Sequence, residues 1–235
     1  MKSSVQTGPA PASPPPPALR QRIRETTAQA ILAAAEEVFA SKGLHAAHMG
    51  EIASLAGVAV GTLYNHFADR DALLAGLLED RRAELLARID TALADIVQAE
   101  RPKTGRTGKN GTKAGAFAQR LRAFLMAVLT HKEAHRRFFN ILMQGEIGRY
   151  QETFPSACTV PLATMREVLS RLDGLMKQGV RDKAIRTDIA DLAPMLFMGM
   201  IRAVMIRDTM VKGGQGDLLG EADRLLRFFL EGAGR

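Results

Sequence analysis

Apolar residues recur along this chain every three to four positions and seldom every second one, a spacing that predicts helices from end to end. Ile23, Ala30, Ile31, Ala34, Ala35, Val38 and Phe39 share one face of a helix from about Arg22 to Ser41, which the basic-then-glycine pair Lys42-Gly43 closes. Two short helices follow between His48 and Phe67. Glu51, Ile52, Ala53, Leu55 and Ala56 give the first, Gly57 stops it, and Val58 to His66 begin the second. Asp69 is the expected N-cap of a fourth helix, whose Leu73, Leu74, Leu77, Leu78, Leu85, Leu86, Ile89, Leu93, Ile96 and Val97 carry it to about Gln98, with a bend near Asp80 to Arg82. Further helices are predicted at about 116–130, 133–147, 160–178, 191–211 and 217–230, with Gly179 ending the third of these. Pro194 is harmless if Asp191 caps its helix and kinks it if the helix starts at Asp188.

The 48–67 stretch has the shape of a helix-turn-helix, in which the second helix lies in the major groove and the first crosses the backbone. Gly57 supplies the sharp turn, because only glycine enters the left-handed region at little cost. Val58 behind it is the apolar plug. A plain helical hairpin in an all-α core has the same spacing, so the spacing alone leaves both readings open.

The residues around it separate the two. From Arg22 through Leu77 the chain resembles the DNA-binding domain of the tetracycline-repressor (TetR) family. A first helix ends AEEVFASKG, and then come Ile52, Ala53, Ala56, Gly57, Val58, Gly61, Thr62, Leu63, Tyr64, His66 and Phe67 at the family's intervals. The resemblance implies an all-α protein: a helix-turn-helix domain over residues 20–80 and a helical effector-binding and dimerisation domain over 81–235. It also implies a homodimeric transcription regulator, usually a repressor, which a small effector releases from a palindromic operator in double-stranded DNA. Ala59, Val60, Gly61, Thr62 and Asn65 match the positions aimed at the groove. Thr62, Tyr64 and His66 match phosphate contacts, as does Arg70, while His48 and Met49 open the first helix of the motif. Val60 and Ala59 suit a thymine methyl, and Asn65 can pair bidentately with adenine. Two positions depart from the family pattern: His48 and Ala59 stand where a capping Ser or Thr is usual, a loss of ~1 to 3 kcal/mol in local helix stability if nothing replaces them.

Composition adds bounds. The 235 residues, 46% hydrophobic with no Trp and two Tyr, make a globular helical chain with room for one DNA-binding domain and a sizeable core. The net charge is +7, yet residues 1–71 hold six Lys/Arg and six Asp/Glu, so the DNA module is neutral and its affinity rests on local placement of Arg20, Arg22, Arg24, Arg70 and the helix N-termini. The lone Cys158 excludes an internal disulfide and reads as an inert thiol in a reducing compartment. Residues 1–19 read as a disordered proline-rich tail rather than a signal peptide. Leu192 to Ile206, interrupted by Arg202, is too short to span a membrane, and a cytoplasmic location is expected. The basic stretch 101–113 reads as a mobile solvated loop.

In the second half, Met126, Met143, Met165, Met176 and Met198 with Phe138 and Phe197 suggest a pocket for an apolar or amphipathic effector, and equally a flexible core filler. The two C-terminal helices, through Met205, Leu218, Ala222, Leu225 and Phe229, are the expected dimer interface. His131 and His135 have metal-binding spacing, but no third ligand stands out, and they read as surface histidines. No catalytic motif is present, and neither a cofactor, a metal nor a catalytic residue is expected. The competing reading is a helical small-molecule-binding dimer without specific DNA binding.

Overall fold

The computed structural model describes residues 16–100, 113–143 and 159–233, and every regular element among them is helical. In order these are α1 (Pro17–Lys42), α2 (Met49–Leu55), α3 (Val60–His66), α4 (Arg70–Glu100), α5 (Lys113–Ala134), α6 (Arg136–Met143), α7 (Thr159–Arg181), α8 (Ala193–Val211) and α9 (Ala222–Ala233), with a 3-10 turn at Thr187–Ile189. The tail through residue 15, most of the basic stretch (101–112) and Cys158 lie outside the described residues.

Several boundaries differ from the sequence expectation, each for a local reason. α1 starts at Pro17, because proline in a first turn gives up no hydrogen bond and its φ is already helical. Arg20, Arg22 and Arg24 therefore ride on the exposed first turns of α1 rather than ahead of it. α4 is a single helix of 31 residues without a break at Asp80 to Arg82; the gap in its apolar stripe is a change of surroundings. α7 runs past Gly179, which sits under Phe117: a Cβ there would lie 2.5 Å from the Phe117 ring. The chain turns instead at Lys183 (φ 59°), with the Gly179 carbonyl accepting from Ala184 N–H at 2.8 Å. Pro194 falls in the first turn of α8, harmlessly, behind Leu192 as N-cap. Asp217 closes a turn by accepting from Gly220 N–H at 2.8 Å, and α9 begins only at Ala222.

Two apolar cores result. The first, here the head, gathers Ile31, Ala35 and Phe39 of α1, Ile52 and Ala53 of α2, Leu63 of α3, and Leu73, Leu74, Leu77 and Leu78 of α4. The second, the body, begins on the same helix at Leu86 and Ile89 and takes in Phe117, Leu121 and Phe124 of α5, Leu172 and Met176 of α7, Phe197 and Ile201 of α8, and Phe229 of α9. α4 thus serves both cores. Between Leu78 and Leu86 it carries Asp80, Arg81, Arg82 and Glu84, which make the polar layer separating them. Among the described residues no helix is long and apolar enough to cross a membrane.

Candidate nucleic-acid interface

The turn joining α2 to α3 is a Schellman closure. Gly57 adopts φ 69°, its N–H donates to Ser54 O at 3.2 Å, and Val58 N–H donates to Ala53 O at 3.0 Å. Val58 is thereby folded back onto the head core. α3 then buries Leu63 completely and turns Ala59, Val60, Gly61, Tyr64 and Asn65 to solvent, with Thr62 and His66 half-buried at its edges. Tyr64 is 49% exposed and Val60 45%, an open apolar surface that the core does not claim. His48 is exposed and Met49 half-buried at the start of α2. Neither His48 nor Ala59 makes a side-chain cap, so both substitutions of the usual Ser or Thr leave the helix starts without one.

Two residues at the far end of the motif set its angle. Asp69 caps α4, accepting from Ala72 N–H at 2.8 Å. Arg70, expected at a phosphate, turns back instead: its Nη1 donates to the carbonyls of His45 at 2.5 Å and Ala47 at 3.2 Å. Those carbonyls belong to the α1–α2 turn, where no helix supplies donors, and a guanidinium with several N–H groups meets them. Phe67 packs on α4 against Gly76, where a Cβ would come within 2.7 Å of its ring.

The residues expected around an effector do not come together. Phe138 is buried in the head core and Met176 and Phe197 in the body core, Met165 and Met198 are partly buried, and the Met143 side chain lies outside the described residues. Phe138 goes to the head because α6 packs across α1, which periodicity within α6 does not reveal. An open groove of about 780 Å³ lies between α4 and α5, and of the expected set only Met126 lines it. Its other walls include Glu84, Arg88, Ala92, Ile96, Gln119, Arg122 and Ala127.

The expected dimer residues also need correction. Leu218, Ala222, Leu225 and Phe229 are buried, three of them in the subunit's own body core, and Met205 is partly buried against it. Their helices expose a different apolar set: Leu192, Met195, Leu196, Ile206 and Met210 along α8 and its cap, and Phe228 on α9.

His131 and His135, expected on the surface, are drawn into the polar layer. His131 is 3% exposed, and its ring lies 4.9 Å from that of His135 and edge-on to Phe139 at 5.6 Å. His135 sits between two carboxylates, Nδ1 at 2.7 Å from Glu36 of α1 and Nε2 at 2.9 Å from Glu84 of α4. Arg81 joins the same two acids, Nε at 3.0 Å from Glu36 and Nη1 at 2.6 Å from Glu84, and Arg88 holds the other Glu84 oxygen at 2.9 Å. Burial alone would push the Glu84 carboxyl up, but the guanidiniums of Arg88 and Arg81 bring it down to about 2. Burial, with the neighbouring His135 next, pushes His131 down to about 4, so at neutral pH its ring carries no charge. Half of this cluster is visible in the sequence as the spacing of His131 and His135; the acids come from helices far away in the chain.

Comparison with known proteins agrees with this geometry. Residues 31–77 match the family model described as bacterial regulatory proteins, tetR family. The chain is 29% identical over 161 residues to the HTH-type transcriptional activator FasR of Mycolicibacterium smegmatis, covering 66% of this chain and 64% of that protein, so the match spans just under two thirds of its relative. Among solved structures, the fatty acid degradation regulator FadR from Bacillus halodurans superposes with TM-score 0.67 at 20% identity, covering 87% of this chain and 94% of that one. FadR from Bacillus subtilis, solved in complex with stearoyl-CoA, superposes with TM-score 0.63 at 21% identity, covering 87% and 98%. Residues 31–77 thus carry a helix-turn-helix of the type found in bacterial regulatory proteins of the tetR family, and the chain as a whole shares the all-helical fold of these solved regulators.

Proposed function

We propose that the protein is a DNA-binding transcriptional regulator that acts as a homodimer on a palindromic operator and leaves it when a small apolar or amphipathic effector binds. The observation that carries the reading is α3: a family-matched segment that anchors itself through Leu63 and holds Ala59, Val60, Gly61, Tyr64 and Asn65 outward on a rigid turn. That is what a helix needs in order to enter the major groove. Thr62, Tyr64 and His66 take the phosphate contacts in this reading, and Arg70 braces the loop beside them. Acting on DNA puts the protein in the cytoplasm.

The second copy docks on the outer face of α8 and α9. Met195, Leu196, Ile206 and Met210 lie three, four, fourteen and eighteen residues after Leu192, so the five form one stripe, and Phe228 is 71% exposed. A two-fold axis through this stripe pairs two head domains for two half-sites. The α4–α5 groove, with apolar and charged residues interleaved along its walls, fits an amphipathic effector, and the stearoyl-CoA complex of the Bacillus subtilis relative makes long acyl thioesters the first compounds to try. A thermal-shift screen in which only highly polar metabolites raise the Tm would overturn this choice of effector. Repression is the mode proposed, although the relative FasR is named an activator.

The test is a salt-titrated binding assay on DNA flanking the protein's own gene. Sequence-selective binding to one palindromic segment is expected. Tyr64→Ala should weaken it with little change in the salt slope, because a neutral phenol releases no counterion on meeting a phosphate. Weak, sequence-blind binding unchanged by Tyr64→Ala would favour a ligand-binding dimer without an operator.

A further inference from the structure

We propose that Glu84, His131 and His135 form a binding site for a divalent transition-metal ion of the zinc class, at the joint between the head and the body. One donor atom from each of the three lies within 4.8 Å of the others. Around a zinc ion with bonds of ~2.1 Å, tetrahedral ligand atoms sit ~3.4 Å apart. Oε2 of Glu84 lies 2.9 Å from His135 Nε2 and Oε1 lies 3.8 Å from His131 Nδ1, separations of that order. His131 stands in the last turn of α5 and His135 one turn on, just past its end, where its N–H donates to the His131 carbonyl at 3.3 Å; both imidazoles therefore lie side by side, and α4 brings the carboxylate across from them.

Two features mark these residues out from an ordinary ion-pair layer. His131 is buried, and its Nδ1 has no hydrogen-bond partner, a lone pair or N–H withheld from water without compensation. His135 is oriented from behind by Glu36 at Nδ1, the carboxylate–histidine arrangement that fixes an imidazole with Nε2 free to ligate. The open α4–α5 groove is lined by Glu84, Ala127 and Thr130, which puts the carboxylate edge of the site beside open space. An arriving ion takes from Glu84 one oxygen now held by an arginine. Arg81 can yield it and keep both Glu36 and Asp80. Two imidazoles and one carboxylate suit zinc, cobalt or nickel and not magnesium or calcium, which take oxygen ligands.

The bound ion would join α4 to α5 directly and α1 through Glu36, tying head to body with bonds that neither apolar core provides. The site stands whether or not the protein regulates transcription. Its test uses the full chain stripped with chelator and titrated with Co²⁺, read by visible d–d absorption and calorimetry, with Zn²⁺ as competitor. The expected result is one ion per chain displaced by Zn²⁺, with affinity reduced tenfold or more in His131→Phe, His135→Gln and Glu84→Gln and about 10–100-fold in Glu36→Gln. Thermal unfolding in chelator shows which variants fold, and Zn²⁺ should raise the Tm of the natural chain and not that of any folded ligand variant. If the natural chain gives no saturable cobalt spectrum, or if folded variants bind as tightly as it does, the site is overturned.

Discussion

Gly57 holds a backbone angle that other residues adopt only at a cost of ~1–2 kcal/mol, and nothing lies within 4 Å of where its Cβ would be. Strain alone therefore acts there. Gly57→Ala should lower stability by about that amount in a denaturant titration and weaken operator binding by misaiming α3. Leu63→Ala removes the only fully buried side chain of α3, with an expected loss of roughly 2–5 kcal/mol. Arg70→Ala should show up in stability before it shows in DNA affinity, because the guanidinium serves the His45 and Ala47 carbonyls. A Tm unchanged from that of the natural chain would refute this and return Arg70 to the phosphates. Gly57 as the turn and Val58 as the plug behind it were legible in the sequence because their roles are set by neighbours a few positions away. The role of Arg70 was not, since its partners lie 25 and 23 residues upstream.

At the scale of elements, periodicity predicted that α8 and α9 carry apolar faces and could not say which neighbour each face meets. α8 is apolar on most sides, so one set of residues enters the body core while another remains outside. Phe229 goes in, 4.8 Å ring to ring from Phe197, and Phe228 beside it goes out. With the docking face proposed above, Phe228→Asp should convert a dimer of this chain to monomer in light scattering while leaving the fold intact. Two-fold symmetry counts the loss twice: about 3 kcal/mol or more over the two copies, roughly a hundredfold or more in dissociation constant. Retention of the dimer at low micromolar concentration would move the interface elsewhere. Gly179 makes the same point within one helix. Sequence logic treats a glycine after an apolar stretch as a stop, whereas here Phe117 of α5 occupies the space its missing side chain leaves. Gly179→Ala is expected to cost about 1–3 kcal/mol in thermal or chemical unfolding, and no loss would show that the ring moves aside freely.

For the whole molecule, the family resemblance implied a division at residue 80, whereas the two cores share α4 and the head core also takes in Phe138 of α6; the nature of the joint was not foreseen. The apolar stripe of α4 breaks at Asp80 to Arg82 because the helix there leaves one core and has yet to enter the next. A break in a stripe looks the same in sequence whether the helix bends or only changes company. Glu36, Glu84 and His135 meet across separations of 99 and 51 residues, a distance at which no local pattern operates. Because α4 stays unbroken for 31 residues, it is a rod of about 46 Å at 1.5 Å per residue. A rod turns small angles into large displacements: tilting it by about ten degrees about the polar joint carries a head ~20–25 Å away through roughly 4 Å. Successive half-sites on one face of DNA lie ~34 Å apart, and two heads each displaced by about 4 Å no longer match that interval. In the regulator proposed above, release from an operator then requires no unfolding and no new contact at the DNA, only a few degrees of lean in one helix.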